Sequence, residues 1–130
     1  TDCASLWLET RSALLLARLR GGPEAMLARE ALEMAAVGGA ACLGRDDIGR
    51  LTPGTAGDLV VWPLEGIAFA GALSDPVEAF LRCGPVAARH TIVHGHPLVE
   101  NSQLTATGVD EMLARHRGIA ESWLTAAIGD

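Results

Sequence analysis

Ile48-Gly49-Arg50-Leu51-Thr52-Pro53-Gly54-Thr55-Ala56-Gly57-Asp58-Leu59-Val60-Val61-Trp62 is a turn feeding an almost uninterrupted apolar run. Pro53 presets φ near −65° and Gly54 accepts a positive φ, which together specify a type II turn. Leu59 to Trp62 fits a buried strand, and Pro63 ends it by removing a ladder donor. A strand of this kind, entered from a helical stretch and followed by further short strands, predicts an α+β chain.

The preceding residues are helical in pattern. From Ala4 to Arg20 an apolar stripe of Leu6, Trp7, Thr10, Ala13, Leu14 and Ala17 recurs every three or four residues, with Glu9, Arg11 and Arg18 facing elsewhere. Asp2 stands where a helix cap belongs. Gly21-Gly22-Pro23 breaks that helix, and Pro23 suits the first position of the next one, over Glu24 to Cys42. Gly38-Gly39 reads as an interruption or close-packing point, and Gly44 as a left-handed stop.

Beyond Trp62 the chain is weakly patterned to Ala72. Asp75-Pro76 then opens a short helix to Arg82, closed by Cys83-Gly84-Pro85. His90–Val93 and Pro97–Val99 form a hairpin around Gly95, and a turn at Glu100-Asn101-Ser102 leads to a short return strand. Thr107 and Asp110 have capping-box spacing for a final helix. Its broad face carries Met112, Leu113, His116, Ile119, Ala120, Trp123, Leu124 and Ala127.

Composition narrows the function classes. Of 130 residues 49% are hydrophobic and 20% charged, a globular balance, and no apolar run approaches the ~20 residues of a membrane span. The formal charge is −6 and all ten cations are arginine. Without a basic cluster to neutralise phosphates, nucleic acid is excluded as a partner. No export signal is visible, and Cys3, Cys42 and Cys83 lack any paired spacing, so they read as buried or half-buried thiols of a reducing, cytoplasmic protein.

Candidate reactive residues are few. His94-Gly95-His96 has the spacing of a metal-binding pair, but the hairpin turn breaks the alternation that would aim both rings one way. His90 starts a strand, and His116 falls on the buried side of the last helix. Asp46 and Asp47 read as solvated or capping carboxylates, Asp58 as a turn-locking one, and Glu30 and Glu33 as partners of arginines one helical turn away. No serine has a nucleophile elbow around it, and no glycine-rich phosphate loop is present.

The stretch from Ile48 to Trp62 resembles IGxLxPGxxADLVVW, the segment by which amidohydrolases leave their barrel for a small β-sandwich, with Gly57 in place of alanine. Leu27–Ala35 and Gly38–Gly49 resemble the REALEMATxGGAxxLGRDDIG run of 8-oxoguanine deaminases and hydroxyatrazine ethylaminohydrolases. The phrases Ala68-Phe69-Ala70-Gly71-Ala72 and Cys83-Gly84-Pro85 resemble the same subfamily. The resemblance implies a fold: the last helices of a (β/α)8 barrel over residues 1–44, the C-terminal share of a composite β-sandwich over 45–106, and a final helix over 107–130. Sandwich strands contributed from elsewhere would be missing, leaving apolar faces and strand edges that invite self-association.

It also implies an activity for the intact enzyme. One divalent metal, zinc most often, would lower the pKa of a bound water, whose hydroxide displaces ammonia from an aminated heterocycle. The substrate implied is 8-oxoguanine-like; isoxanthopterin, guanine or an s-triazine are the alternatives, and a homo-oligomer is expected. Thr1 to Glu9 resembles the stretch after the eighth barrel strand, GxDGxxSND. Asp2 fits the second aspartate of that pattern; aligned as the first it would be a metal ligand, and read without the family it only caps its helix. No other residue here is expected to bind metal or to catalyse, so these residues alone are expected to be inactive. The reading of a different class is a non-catalytic binding or assembly domain.

Overall fold

A computed structural model describes residues 5–128. α1 (Leu6–Gly21) is capped by Ser5, whose hydroxyl accepts the Leu8 N–H at 3.4 Å. Ser5 therefore takes the role expected of Asp2, which lies with Cys3 outside the described residues. The chain then turns at Gly22, and the next helix starts later than its proline suggested. α2 spans Ala28–Glu33, with Pro23 in the turn and Leu27 extended at φ −85°, ψ 150°. Two side chains hold this delay. Arg18 donates from Nε to the Met26 carbonyl at 2.9 Å, and the Glu30 carboxylate accepts the Leu27 N–H at 2.7 Å.

The glycine pair does not break the helix that follows. A π-helical turn (Met34–Gly38) carries α2 directly into α3 (Gly39–Cys42), and Gly38 and Gly39 hold ordinary helical angles. The wider turn absorbs a residue that would otherwise force a break. Gly44, at φ +65°, ends α3 as expected: its N–H reaches the Ala41 carbonyl and the Arg45 N–H reaches Ala40, a Schellman closure.

Pro53-Gly54 forms the turn its sequence specifies, with Gly54 at φ +91° and the Thr55 N–H on the Thr52 carbonyl at 3.2 Å. β1 (Leu59–Val61) follows, but it is not a buried strand. Val60 and Val61 are 43% and 40% exposed, and Trp62 lies beyond the ladder. The four strands lie in the order β1-β2-β3-β4, all antiparallel, with β1 at an edge, and among the described residues no second sheet covers their face.

A 3₁₀ turn (Ile67–Phe69) buries Phe69, and α4 (Pro76–Cys83) begins as its sequence predicts. Asp75 Oδ1 accepts the N–H groups of Val77 and Glu78, each at 3.0 Å. A cis Gly84–Pro85 bond ends the segment. β2 (His90–Val93) and β3 (His96–Glu100) then form the hairpin, with the tip one residue earlier than expected, at His94-Gly95. Both tip residues have positive φ, the geometry whose twist matches antiparallel strands. β4 (Gln103–Leu104) is the short return strand.

α5 (Val109–Ile128) starts two residues after Thr107. Gly108 at φ +75° separates them, so Thr107 is not the cap and the expected capping box does not form. The side expected to be buried is exposed along its described length, His116 included, because no other helix among the described residues packs against it.

The core lies wholly between the helices. Leu14, Ala28, Ala31, Phe80 and Leu81 form its centre, with Trp7, Met26, Leu32, Leu64, Val77 and Val86 packed around it. The Trp7 indole donates to the Phe80 carbonyl at 3.2 Å and meets the Phe80 ring edge-on at 6.3 Å. Cys42 is exposed rather than buried, because it stands in the last turn of α3, whereas Cys83 is half-buried.

Candidate functional site

Three constellations among the described residues bear on the site, beside a separate Arg89–Glu65 ion pair at 2.8 Å. The first joins α1 to α4. Arg18 grips Glu78 through both terminal guanidinium nitrogens, at 2.5 and 3.0 Å, and Arg82 approaches the same carboxylate at 3.5 Å. The Arg18 hydrogen bonds hold the Glu78 carboxyl below the usual range, and Glu78 in turn raises the Arg18 guanidinium. Arg18 was expected to face away from the apolar stripe. Its place one turn beyond the buried Leu14 is the sequence signal that it reaches a neighbouring element. The arrangement is a clamp, and its Glu78 and Arg82 line an open cavity of about 400 Å³ together with Ser74, Asp75 and Cys83.

The second lies where the loop before β1 meets the hairpin tip. Asp58 Oδ1 accepts the His94 N–H at 2.6 Å, and the Gly57 carbonyl accepts the Gly95 N–H at 2.9 Å. Asp58 thus locks a turn as its sequence suggested. Gly57 is close-fitting, since a Cβ there would stand 3.1 Å from the Gly95 nitrogen. Nearby, Arg45 holds Asp47 at 2.8 and 2.6 Å and lowers its carboxyl pKa. Asp47 is therefore ion-paired rather than merely solvated. Glu30 and Glu33 form none of the arginine pairs expected of them; Glu30 is committed to the Leu27 N–H instead.

The third is an apolar groove of about 270 Å³ between α1, the α2–π helix and β1. Leu6, Trp7, Thr10, Leu32, Trp62 and Phe80 line it, and Trp62 meets Phe80 at 5.1 Å. It presents no titratable side chain, so it can bury apolar surface but cannot move a proton.

The candidate reactive residues are not brought together. His94 sits at the hairpin tip, His96 on β3, His90 at the start of β2 and His116 on α5. Among the described residues no three His, Cys, Asp or Glu side chains converge as a metal site. These residues therefore do not fit a divalent metal. Asp2, the one candidate singled out by sequence, is outside them.

Comparison with known proteins completes the description. The Amidohydrolase family profile matches residues 1–107. An 8-oxoguanine deaminase from Pseudomonas aeruginosa is 37% identical over 121 residues, covering 93% of this chain and 27% of that protein. A hydroxydechloroatrazine ethylaminohydrolase from Pseudomonas sp. strain ADP is 39% identical over 88 residues, 65% of this chain and 18% of its own length. The crystal structure of atrazine chlorohydrolase from Arthrobacter aurescens TC1, complexed with zinc, superposes with a TM-score of 0.78 at 34% identity. It covers 86% of this chain and 25% of that one. The chain spans about a quarter of the length of the 8-oxoguanine deaminase.

Proposed function

The chain belongs to the amidohydrolase family, and from that premise we propose that it is the C-terminal portion of a metal-dependent aminohydrolase. The substrate is an 8-oxoguanine-like aminated heterocycle, and the products are the carbonyl compound and ammonia. One observation carries the choice of substrate class: the 37% identity to an 8-oxoguanine deaminase runs through 93% of the chain rather than one motif. In this reading residues 1–44 are the last helices of the hydrolase barrel, 45–106 its share of a composite β-sandwich, and 107–130 a terminal helix. The complete enzyme is cytoplasmic and homo-oligomeric.

The described residues supply frame rather than chemistry. The α1–α4 clamp and the Asp58–His94 latch fix helices and sheet, and the apolar groove accepts chain from the rest of the enzyme. Zinc and the groups that hold it belong outside the described residues, and Asp2, which also lies outside them, is the candidate for a place beside the active site rather than a ligand. The absence of a converging donor set among the described residues also favours the second reading, a domain that only binds or assembles.

Ammonia release separates the two readings. The complete polypeptide, purified with its metal, is assayed against 8-oxoguanine, isoxanthopterin, guanine, 5′-deoxyadenosine and a hydroxy-s-triazine. Turnover is expected, fastest with 8-oxoguanine, while the 130 residues alone give none. Turnover by those residues alone, or a folded, metal-loaded complete protein inert toward all five compounds, overturns the proposal.

A further inference from the structure

Nine of the ten arginines have an evident setting for their charge. Arg18, Arg45, Arg82 and Arg89 hold carboxylates. Arg20, Arg29, Arg50, Arg115 and Arg117 stand exposed, where water serves their donors. Arg11, in the second turn of α1, is half-buried and has no ion pair among the described residues. Its Nε is shielded from solvent without an acceptor, the one such atom among the described buried and half-buried residues.

Its own helix cannot supply the acceptor. The neighbours one turn away are Trp7, Leu8, Leu14 and Leu15, none of them a carboxylate. Trp7 closes one face, with the guanidinium carbon 6.0 Å from its ring centroid. The indole offers only a donor, already committed to the Phe80 carbonyl, and it lies so close to Gly84 that a Cβ there would come within 2.7 Å. A guanidinium keeps its charge, and a shielded donor left unpaired costs more than an ordinary hydrogen bond contributes.

We propose that Arg11 is a docking point for an aspartate or glutamate side chain from the part of the polypeptide outside these 130 residues. This rests on the reading of the chain as one portion of a longer enzyme, of which it spans 27% in the 8-oxoguanine deaminase it resembles. A carboxylate answers the charge as well as the donor, which a carbonyl does not, and its two oxygens match Nε and a terminal nitrogen together. Arg45 already holds Asp47 side-on in this manner, through Nε and Nη2.

The test uses the complete polypeptide, loaded with its metal. Its crystal structure is expected to place an aspartate or glutamate oxygen of the same chain within about 3.2 Å of Arg11 Nε. Arg11→Met, and replacement of that carboxylate by its amide, should each lower the thermal midpoint by about 2–4 °C, and both together by little more than either alone. Arg29→Met, at an exposed arginine, leaves the midpoint unchanged. Water or a carbonyl at Nε, a carboxylate from Asp2 or from another subunit, or two losses that simply add overturns the proposal. Should Arg11→Met fail to fold, the wild-type structure decides. None of these readouts uses turnover: an inert enzyme that shows the pair refutes the assigned activity alone, and an active one without it refutes the pair alone.

Discussion

Replacing Glu78 by glutamine tests whether the α1–α4 clamp holds the helical half together. An exposed ion pair contributes about 0–1 kcal/mol, whereas stripping one partner from a buried pair costs about 3–5 kcal/mol. The Arg18 and Glu78 side chains are 19% and 25% exposed, between those limits. Glutamine keeps the shape and one acceptor oxygen but leaves Arg18 without its charge partner, and Glu78 also sits in the first turn of α4, where a negative charge is favoured. The loss is then about 2 kcal/mol, a drop of roughly 8 °C in melting temperature for a chain of this length.

The same change carries a pH signature. Glu78 has a lowered pKa in the folded state, so its contribution is complete above the unfolded value of about 4.3 and is lost as pH falls through the folded one. Helical circular dichroism followed against temperature, from pH 7 to pH 3, should show the gap between wild type and Glu78→Gln narrowing toward zero at the acid end. Arg82→Gln is the control: Arg82 is 59% exposed and 3.5 Å away, so its loss costs a few tenths of a kcal/mol. Equal melting of Glu78→Gln and wild type at pH 7, or a gap unchanged by acid, would refute the assignment.

Two further substitutions probe single backbone positions by urea unfolding. Gly49→Ala should cost about 2–5 kcal/mol, because φ is +85° there and the new Cβ would lie 2.7 Å from the Ala36 carbonyl oxygen and 3.1 Å from the Ala40 Cβ. Asp75→Ala should cost about 1 kcal/mol by freeing the Val77 and Glu78 N–H groups, and Asp75→Asn should restore most of it.

Local chemistry was legible wherever a few neighbouring residues decide the outcome. The Pro53-Gly54 turn, the Asp75-Pro76 start of α4, the Gly44 stop and the turn at Asn101-Ser102 all follow from backbone preference and short-range hydrogen bonds. What the sequence obscured depends on distant partners. Pro23 could open a helix, but the Arg18–Met26 bond keeps the chain extended until Leu27. A paired glycine usually ends a helix, yet the π turn carries Gly38 and Gly39 through. Thr107 has the spacing of a cap, but the positive φ of Gly108 moves the start of α5 beyond its reach. For the site, the scattering of the histidines was visible in their turn and strand contexts. The Arg18–Glu78 grip, spanning 60 residues, was not.

Where apolar pattern and exposure disagree, the disagreement has one location. Every buried residue of the described chain is on a helix or in the 3₁₀ turn, and none is on a strand. Yet the strands are patterned for burial: Leu59, Val60 and Val61 form an apolar run, and Ile92 and Val93 lie beside them in β2. A sheet whose residues are chosen for a core, but which no second sheet covers among the described residues, is held mainly by its ladder, by the latch at its tip and by the Trp62–Phe80 contact beside β1. Hydrogen bonds of this sort contribute about 1 kcal/mol each and cannot replace a packed face. The helices have their own core and the sheet does not. That contrast is what the proposed share of a composite sandwich predicts, with the uncovered surface on the β1 edge and the adjoining Trp62 groove.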